Sequence, residues 1–206
     1  MKAFTKLIAG PIAAFALSAT ASASLIVNGG FEDTDVNGGD GGWQWYTSSN
    51  VDGWEGSNIE IWQEFGAIGP YEGNQHAELN AHPSSGDAFS IFQSFETNPG
   101  DTYELFFAYG ARRNNDESFQ VQLDGIGVGS LLDQLIDDHT VNAWSTFSYV
   151  FTADSTSTTL RFTSVTPESG TVGNFLDGIS VVAVPAPGTL LLLGTALMGL
   201  GLRRRK

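Results

Sequence analysis

The sequence predicts an all-β fold, an antiparallel β-sandwich over residues 24–184. Three observations carry this. Apolar and polar residues alternate with period two in five short segments. Those segments are rich in Thr, Val and aromatic residues, which suit a pleated, half-buried surface. Clusters of Gly, Asn, Asp and Pro separate them, as turns require. The span is one domain's length, and it shows no internal repeat.

The strands follow in order. Thr102–Ala108 sets Tyr103, Leu105 and Phe107 against Thr102, Glu104 and Phe106. The preceding Asn98-Pro99-Gly100-Asp101 is a turn by composition. Ser118–Asp124 puts Phe119, Val121 and Leu123 on one face. Thr146–Thr152 gathers Phe147, Tyr149 and Phe151, and Thr158–Ser164 gathers Leu160 and Phe162 around Arg161. Phe175–Val181 alternates again, with Asp177 on the face of Phe175 and Ile179, expected to point inward. Ser130–Asp138 is the one segment expected as a short helix, and residues 36–42 are expected as a flexible loop.

The two ends read as addresses. Lys2 and Lys6 precede an apolar stretch from Leu7 to Leu17, and small residues follow, ending Ala21-Ser22-Ala23. That is the order of a secretory signal peptide spanning residues 1–23, cut by signal peptidase after Ala23. At the other end, Gly188–Leu202 is apolar and uncharged, and Arg203, Arg204, Arg205 and Lys206 close the chain. A transmembrane helix is expected there, with the cations kept on the cytoplasmic side of the inner membrane. Pro185-Ala186-Pro187, the Leu/Gly-rich run and the basic terminus together resemble the PEP-CTERM sorting signal of Gram-negative bacteria, with Ala186 where that family has Glu. The resemblance covers residues 185–206. It implies a transient anchor, processing by an exosortase at Pro185-Ala186-Pro187, and delivery to the cell surface or an extracellular matrix rich in exopolysaccharide.

Charge narrows the partners. All 23 acidic residues lie between the two ends, with only Arg112, Arg113 and Arg161 to oppose them, so this segment carries a formal charge of −20. Such a surface repels nucleic acid and anionic lipid and attracts cations. There is no cysteine, hence no disulfide and no thiol nucleophile.

Asn28-Gly29-Gly30-Phe31-Glu32 opens the domain, and Phe175-Leu176-Asp177-Gly178-Ile179-Ser180-Val181 closes it. Together these resemble the first and last strands of galactose-binding-like jelly rolls, a fold that includes many carbohydrate-binding modules. The resemblance implies that Glu32 and Asp177 hold a structural calcium ion (Ca2+) with backbone carbonyls. Oxygen ligands of this kind suit calcium, and a buried Asp177 needs compensation. A further stretch, GNQHAELN followed by IFQSFETNPGDTYELFFAYGAR, resembles a sandwich domain recurrent in exported bacterial proteins upstream of PEP-CTERM tails.

Within that stretch His76, Glu78, Asn80 and His82 share one strand face. Three readings stay open: a zinc site of His76, Glu78 and His82; a Glu78–Arg112 pair meeting sugar hydroxyls; or an ion pair that is only structural. Trp43 and Trp45 follow a Gly/Asp loop, and Trp62 lies opposite Ile59 and Ile61. Aromatic faces of this kind stack on the C–H side of sugar rings. Trp43, Trp45, Trp62, Glu78 and Arg112 are therefore the candidate carbohydrate-binding set. Neither a Gly-x-Ser-x-Gly elbow nor a His-Glu-x-x-His motif is present. The expected function is non-catalytic binding of extracellular polysaccharide. The alternatives are an acidic matrix protein bridged by divalent cations and, third, a polysaccharide hydrolase.

Overall fold

The structure is a computed structural model and describes residues 23–34, 36, 42–63, 68–126 and 129–185. Eleven strands lie among them: β1 (Trp43–Tyr46), β2 (Glu55–Gly56), β3 (Ile59–Trp62), β4 (His76–Glu78), β5 (Ser90–Glu96), β6 (Thr102–Gly110), β7 (Ser118–Gly125), β8 (Ser130–Ile136), β9 (Ser145–Thr152), β10 (Ser157–Thr166) and β11 (Phe175–Ala183). They form two antiparallel sheets. One is six-stranded, in the order β1-β3-β4-β11-β6-β9; the other is five-stranded, in the order β2-β5-β10-β7-β8.

The period-two pattern places the core between the sheets. Leu105 and Phe107 of β6, Phe119, Val121 and Leu123 of β7, and Leu160 and Phe162 of β10 are fully buried. Phe107, Phe119 and Phe162 meet at its centre, with ring centroids 5.1–5.9 Å apart. Burying a side chain of this size contributes about 1.5–3 kcal/mol.

Three sequence expectations change. Ser130–Ile136 is strand β8, because Leu132 and Ile136 find cross-strand partners in Leu123 and Phe119 of β7. Its Leu-Leu and Leu-Ile pairs imitate a helical period, and pairing decides the matter. Asp177 shares a face with Phe175 but not with Ile179. The register slips between Asp177 and Ser180, where Gly178 takes φ +58°. This bulge turns Ile179 into the core while Asp177 faces outward from the sandwich, although still fully buried. Trp43 and Trp45, which follow the Gly/Asp loop in sequence, stand on edge strand β1 rather than in a loop.

The two ends of the domain clasp each other. The Leu25 amide donates to Val181 O (2.8 Å), the Val181 amide to Ser24 Oγ (3.3 Å), and the Ile179 amide to Gly29 O (3.0 Å). A Cβ on Gly29 would lie 1.8 Å from Ile179 O, so only glycine permits this approach. Ala23, the expected cleavage residue, is exposed immediately before this clasp, and Pro185 is exposed just after β11. The rest of the expected signal peptide, most of the 36–42 loop, Ala186, Pro187 and the expected C-terminal transmembrane helix lie outside the described residues. Among the described residues no helix is long and apolar enough to cross a membrane.

Candidate functional site: the outer face of the six-stranded sheet

The face of the six-stranded sheet turned away from the core is set by register. Trp43 pairs with Trp62 and Trp45 with Glu60; Trp62 pairs with His76 and Glu60 with Glu78; Glu78 pairs with Phe175. All these residues therefore share one face. Trp43 stacks on Trp62 with centroids 5.1 Å apart and planes 17° from parallel. The Arg112 guanidinium lies over the Trp62 ring, 4.7 Å from its centroid.

Beneath these rings lies a buried charge network. Glu60 and Glu78 are cross-strand neighbours, both fully buried. Like charges so placed need cations. Arg112 Nη1 donates to Glu78 Oε2 (2.7 Å) and Oε1 (2.9 Å) and lies 3.8 Å from Glu60 Oε2. Trp62 Nε1 and the Gly173 amide also donate to Glu78 (3.0 and 2.6 Å). Burial pushes the Glu78 carboxyl well above its usual range, with the Arg112 charge acting against that shift. His82 Nδ1 lies 2.6 Å from Glu60 Oε1, which also accepts the His82 amide (3.0 Å). The His82 ring packs obliquely near Trp43, at 6.0 Å.

Glu117 holds Arg112 in place. Its carboxylate, buried and acceptor-only, takes the amides of Arg112, Arg113, Asn114 and Asn174 at 2.7–3.1 Å. It thereby ties the loop after β6 to the entry of β11.

The candidate set divides. Trp43 is half-buried and Trp45 is 42 % exposed, so both offer ring surface. Trp62 and Glu78 are buried, so they lie under the platform rather than on it; this corrects the expectation that they meet a ligand directly. Arg112 belongs to the same supporting layer, its side chain 12 % exposed. The zinc reading is not supported by the geometry. His76 is boxed edge-on against Phe175 (4.7 Å) and Trp144 (5.5 Å), and burial lowers its pKa to about 3. Among the described residues no three metal-ligating side chains converge. Glu60, Glu117 and the His82 contact were not singled out in the sequence. Glu60 did leave a signal, as a charged residue two positions from Trp62 on an otherwise apolar strand.

Glu32 and Asp177 both lie at the clasp of the domain's two ends. Glu32 Oε1 accepts the amides of Asn74 (2.6 Å) and Gln75 (2.8 Å). Asp177 Oδ2 accepts those of Tyr71 (2.7 Å) and Glu72 (3.1 Å), and Oδ1 that of Gly178 (2.7 Å). Glu72 joins them: a Cβ on Gly30 would lie 3.2 Å from Glu72 Oε1, 3.7 Å from Glu32 Cγ and 3.8 Å from Asp177 Oδ1. Among the described residues no ion pair reaches Asp177. Burial raises its pKa to about 7, and the Glu72 charge adds to the shift. All three carboxylates stand near Gly30, but among the described residues no three metal-ligating side chains converge, and the oxygens of Glu32 and Asp177 already accept backbone amides.

Residues 24–182 match the family model described as "Protein of unknown function (DUF642)". The chain belongs to the DUF642 family. Residues 183–206 of this DUF642 protein match the PEP-CTERM protein-sorting motif, which marks it for export and C-terminal processing. It is 28 % identical over 170 residues to halomucin of Haloquadratum walsbyi, matching 80 % of this chain and 2 % of that one. The chain thus spans a small fraction of the curated relative it matches. Among solved structures, TmCBM61 in complex with β-1,4-galactotriose superposes with a TM-score of 0.53 at 12 % identity, covering 79 % of this chain and all of that one. An arabinose-bound α-L-arabinofuranosidase, MgGH51, gives 0.50 at 12 % identity, covering 79 % and 27 %. These likenesses show the fold, an antiparallel β-sandwich that resembles the jelly roll of TmCBM61.

Proposed function

We propose that this DUF642 protein is an exported, non-catalytic carbohydrate-binding protein whose site is the Trp43/Trp45 platform. One observation carries the reading. Two tryptophans of an edge strand stand on one sheet face, and beneath them Trp62, Arg112, Glu78 and Glu60 form a rigid layer, with the half-exposed His82 ring beside Trp43 and bonded to Glu60. Pre-organised aromatic surface is what a sugar ring needs, since a fixed platform loses little conformational entropy on binding. The fold is that of carbohydrate-binding modules, and one structural neighbour was solved with a galactotriose.

The charges favour a neutral glycan. Arg112 is held by Glu78 and Glu60, and the domain around it carries −20. A polyuronate would meet repulsion there, because Arg112 is already committed to Glu78 and Glu60. Calcium, held by Asp177 and Glu32 with Glu72 nearby, braces the two ends of the domain in this account. Exosortase processing at Pro185-Ala186-Pro187, after a transient inner-membrane anchor, delivers the domain to exopolysaccharide at the cell surface. Pull-down of the chain on insoluble neutral polysaccharides tests the reading. Binding weakened by Trp45→Ala supports it, and no binding to any neutral glycan removes it.

A further inference from the structure

The sandwich has four edge strands among the described residues, and three are protected against pairing with another chain. β1 has four residues and β2 only two. β8 carries Asp133, is followed by Asp137 and Asp138, and slips register against β7. Short length, charge and bulges are the usual ways of blunting an edge.

β9 has none of them. It runs eight residues, Ser145–Thr152, without a charge or a proline, in a domain of formal charge −20. It pairs with β6 through eight residues without a slip. Its far side is unpaired. Val150 is 56 % exposed on its outer face, and its core-facing Phe147 and Tyr149 are only half-buried.

We propose that β9 is the edge through which two copies of this chain join, antiparallel, into one continuous sheet. A second copy fits for two reasons. A dyad at Ser148 sets Val150 opposite the partner's Thr146 and Phe147 opposite the partner's Tyr149, so each face meets its own kind. It is also the one long edge at which two such acidic domains meet without opposing carboxylates on the pairing strands. Glu104 of β6 lies one strand inward and accepts the Ser148 hydroxyl (2.6 Å), and Asp137 and Asp138 line a cleft with Thr146 and Phe147. Repulsion between the remaining charges makes the contact stronger at high salt.

The absence of cysteine makes the test clean. A Ser148→Cys chain places two thiols at the dyad, within disulfide reach of each other in a paired ladder. Mild oxidation is expected to give a covalent dimer, more of it in molar salt than in dilute buffer. Ser94→Cys, exposed on the other sheet, is the control and is expected to stay monomeric. Adding Val150→Glu to Ser148→Cys is expected to reduce the dimer severalfold. Equal cross-linking at both positions, or none at Ser148→Cys under either salt condition, overturns the proposal. Because no glycan enters the assay, its outcome is independent of the binding function.

Discussion

Trp43 lies on Trp62 nearly ring to ring, 5.1 Å between centroids and 17° between planes, although the two are nineteen positions apart on strands that pair through them. The stack joins an accessible ring to a buried one. It therefore couples the surface that meets ligand to the packing that fixes the surface.

Trp43→Ala should accordingly act on both stability and binding. The stack alone is worth about 0.5–1.5 kcal/mol beyond area burial, and the loss of buried ring surface adds to that. Urea denaturation is expected to show a loss of about 2 kcal/mol, alongside weaker retention on polysaccharide. Trp45→Ala, whose ring is exposed, should leave the denaturation midpoint within about 0.5 kcal/mol of wild type.

Glu78→Ala removes the two short hydrogen bonds that Arg112 makes to that carboxylate, leaving Glu60 3.8 Å away. Breaking a buried pair from one side costs about 3–5 kcal/mol, because the remaining charge loses its compensation. Chemical denaturation checks this. A change under 1 kcal/mol would mean that water already reaches the pair.

Asp177 sets a pH dependence. Its folded pKa, about 7, lies above the ordinary carboxylate value, so folding favours the protonated acid. Its contribution is full below the unfolded pKa and is lost as pH rises through about 7. Relative to Asp177→Asn, the chelated wild type should lose stability between about pH 4 and 7. Added calcium should restore it at pH 8 through the folded state it binds. Thermal unfolding at three pH values, with calcium and with chelator, gives the comparison. Identical curves for the two chains would show that Asp177 does not carry the dependence, and no calcium response at pH 8 would remove the brace.

His76 works the other way. Burial among rings holds its pKa near 3, so the unfolded chain takes up a proton first as acid is added. Stability from His76 is present above about pH 6.5 and is lost as pH falls toward 3. Relative to His76→Phe, the wild type should weaken steadily across that window in acid titration followed by tryptophan fluorescence.

Much of the fold was legible because its strands obey period two. Thr102–Ala108, Ser118–Asp124 and Thr158–Ser164 fall within β6, β7 and β10. What failed was local chemistry overridden at longer range. The leucine pairs of Ser130–Ile136 imitate a helix until β7 supplies their partners. Asp177 read as inward because a one-residue bulge at Gly178 leaves no trace in an alternating pattern. In the site, Trp43, Trp45, Trp62, Glu78 and Arg112 do assemble on one face, but their division into exposed platform and buried support depends on pairing register. Glu60, His82 and Glu117 come from three separated segments, and only the folded sheet brings Glu60 and Glu117 to Arg112 and His82 to Glu60.

The most direct test of the central claim is affinity electrophoresis of wild type and Trp45→Ala through gels containing a neutral galactan, xylan or glucan, with a polyuronate gel beside them. The account predicts that at least one neutral polysaccharide retards the wild type, that Trp45→Ala recovers most of the lost mobility, and that the polyuronate retards neither. Unretarded wild type in every neutral gel, or equal retardation of the two proteins, would contradict it.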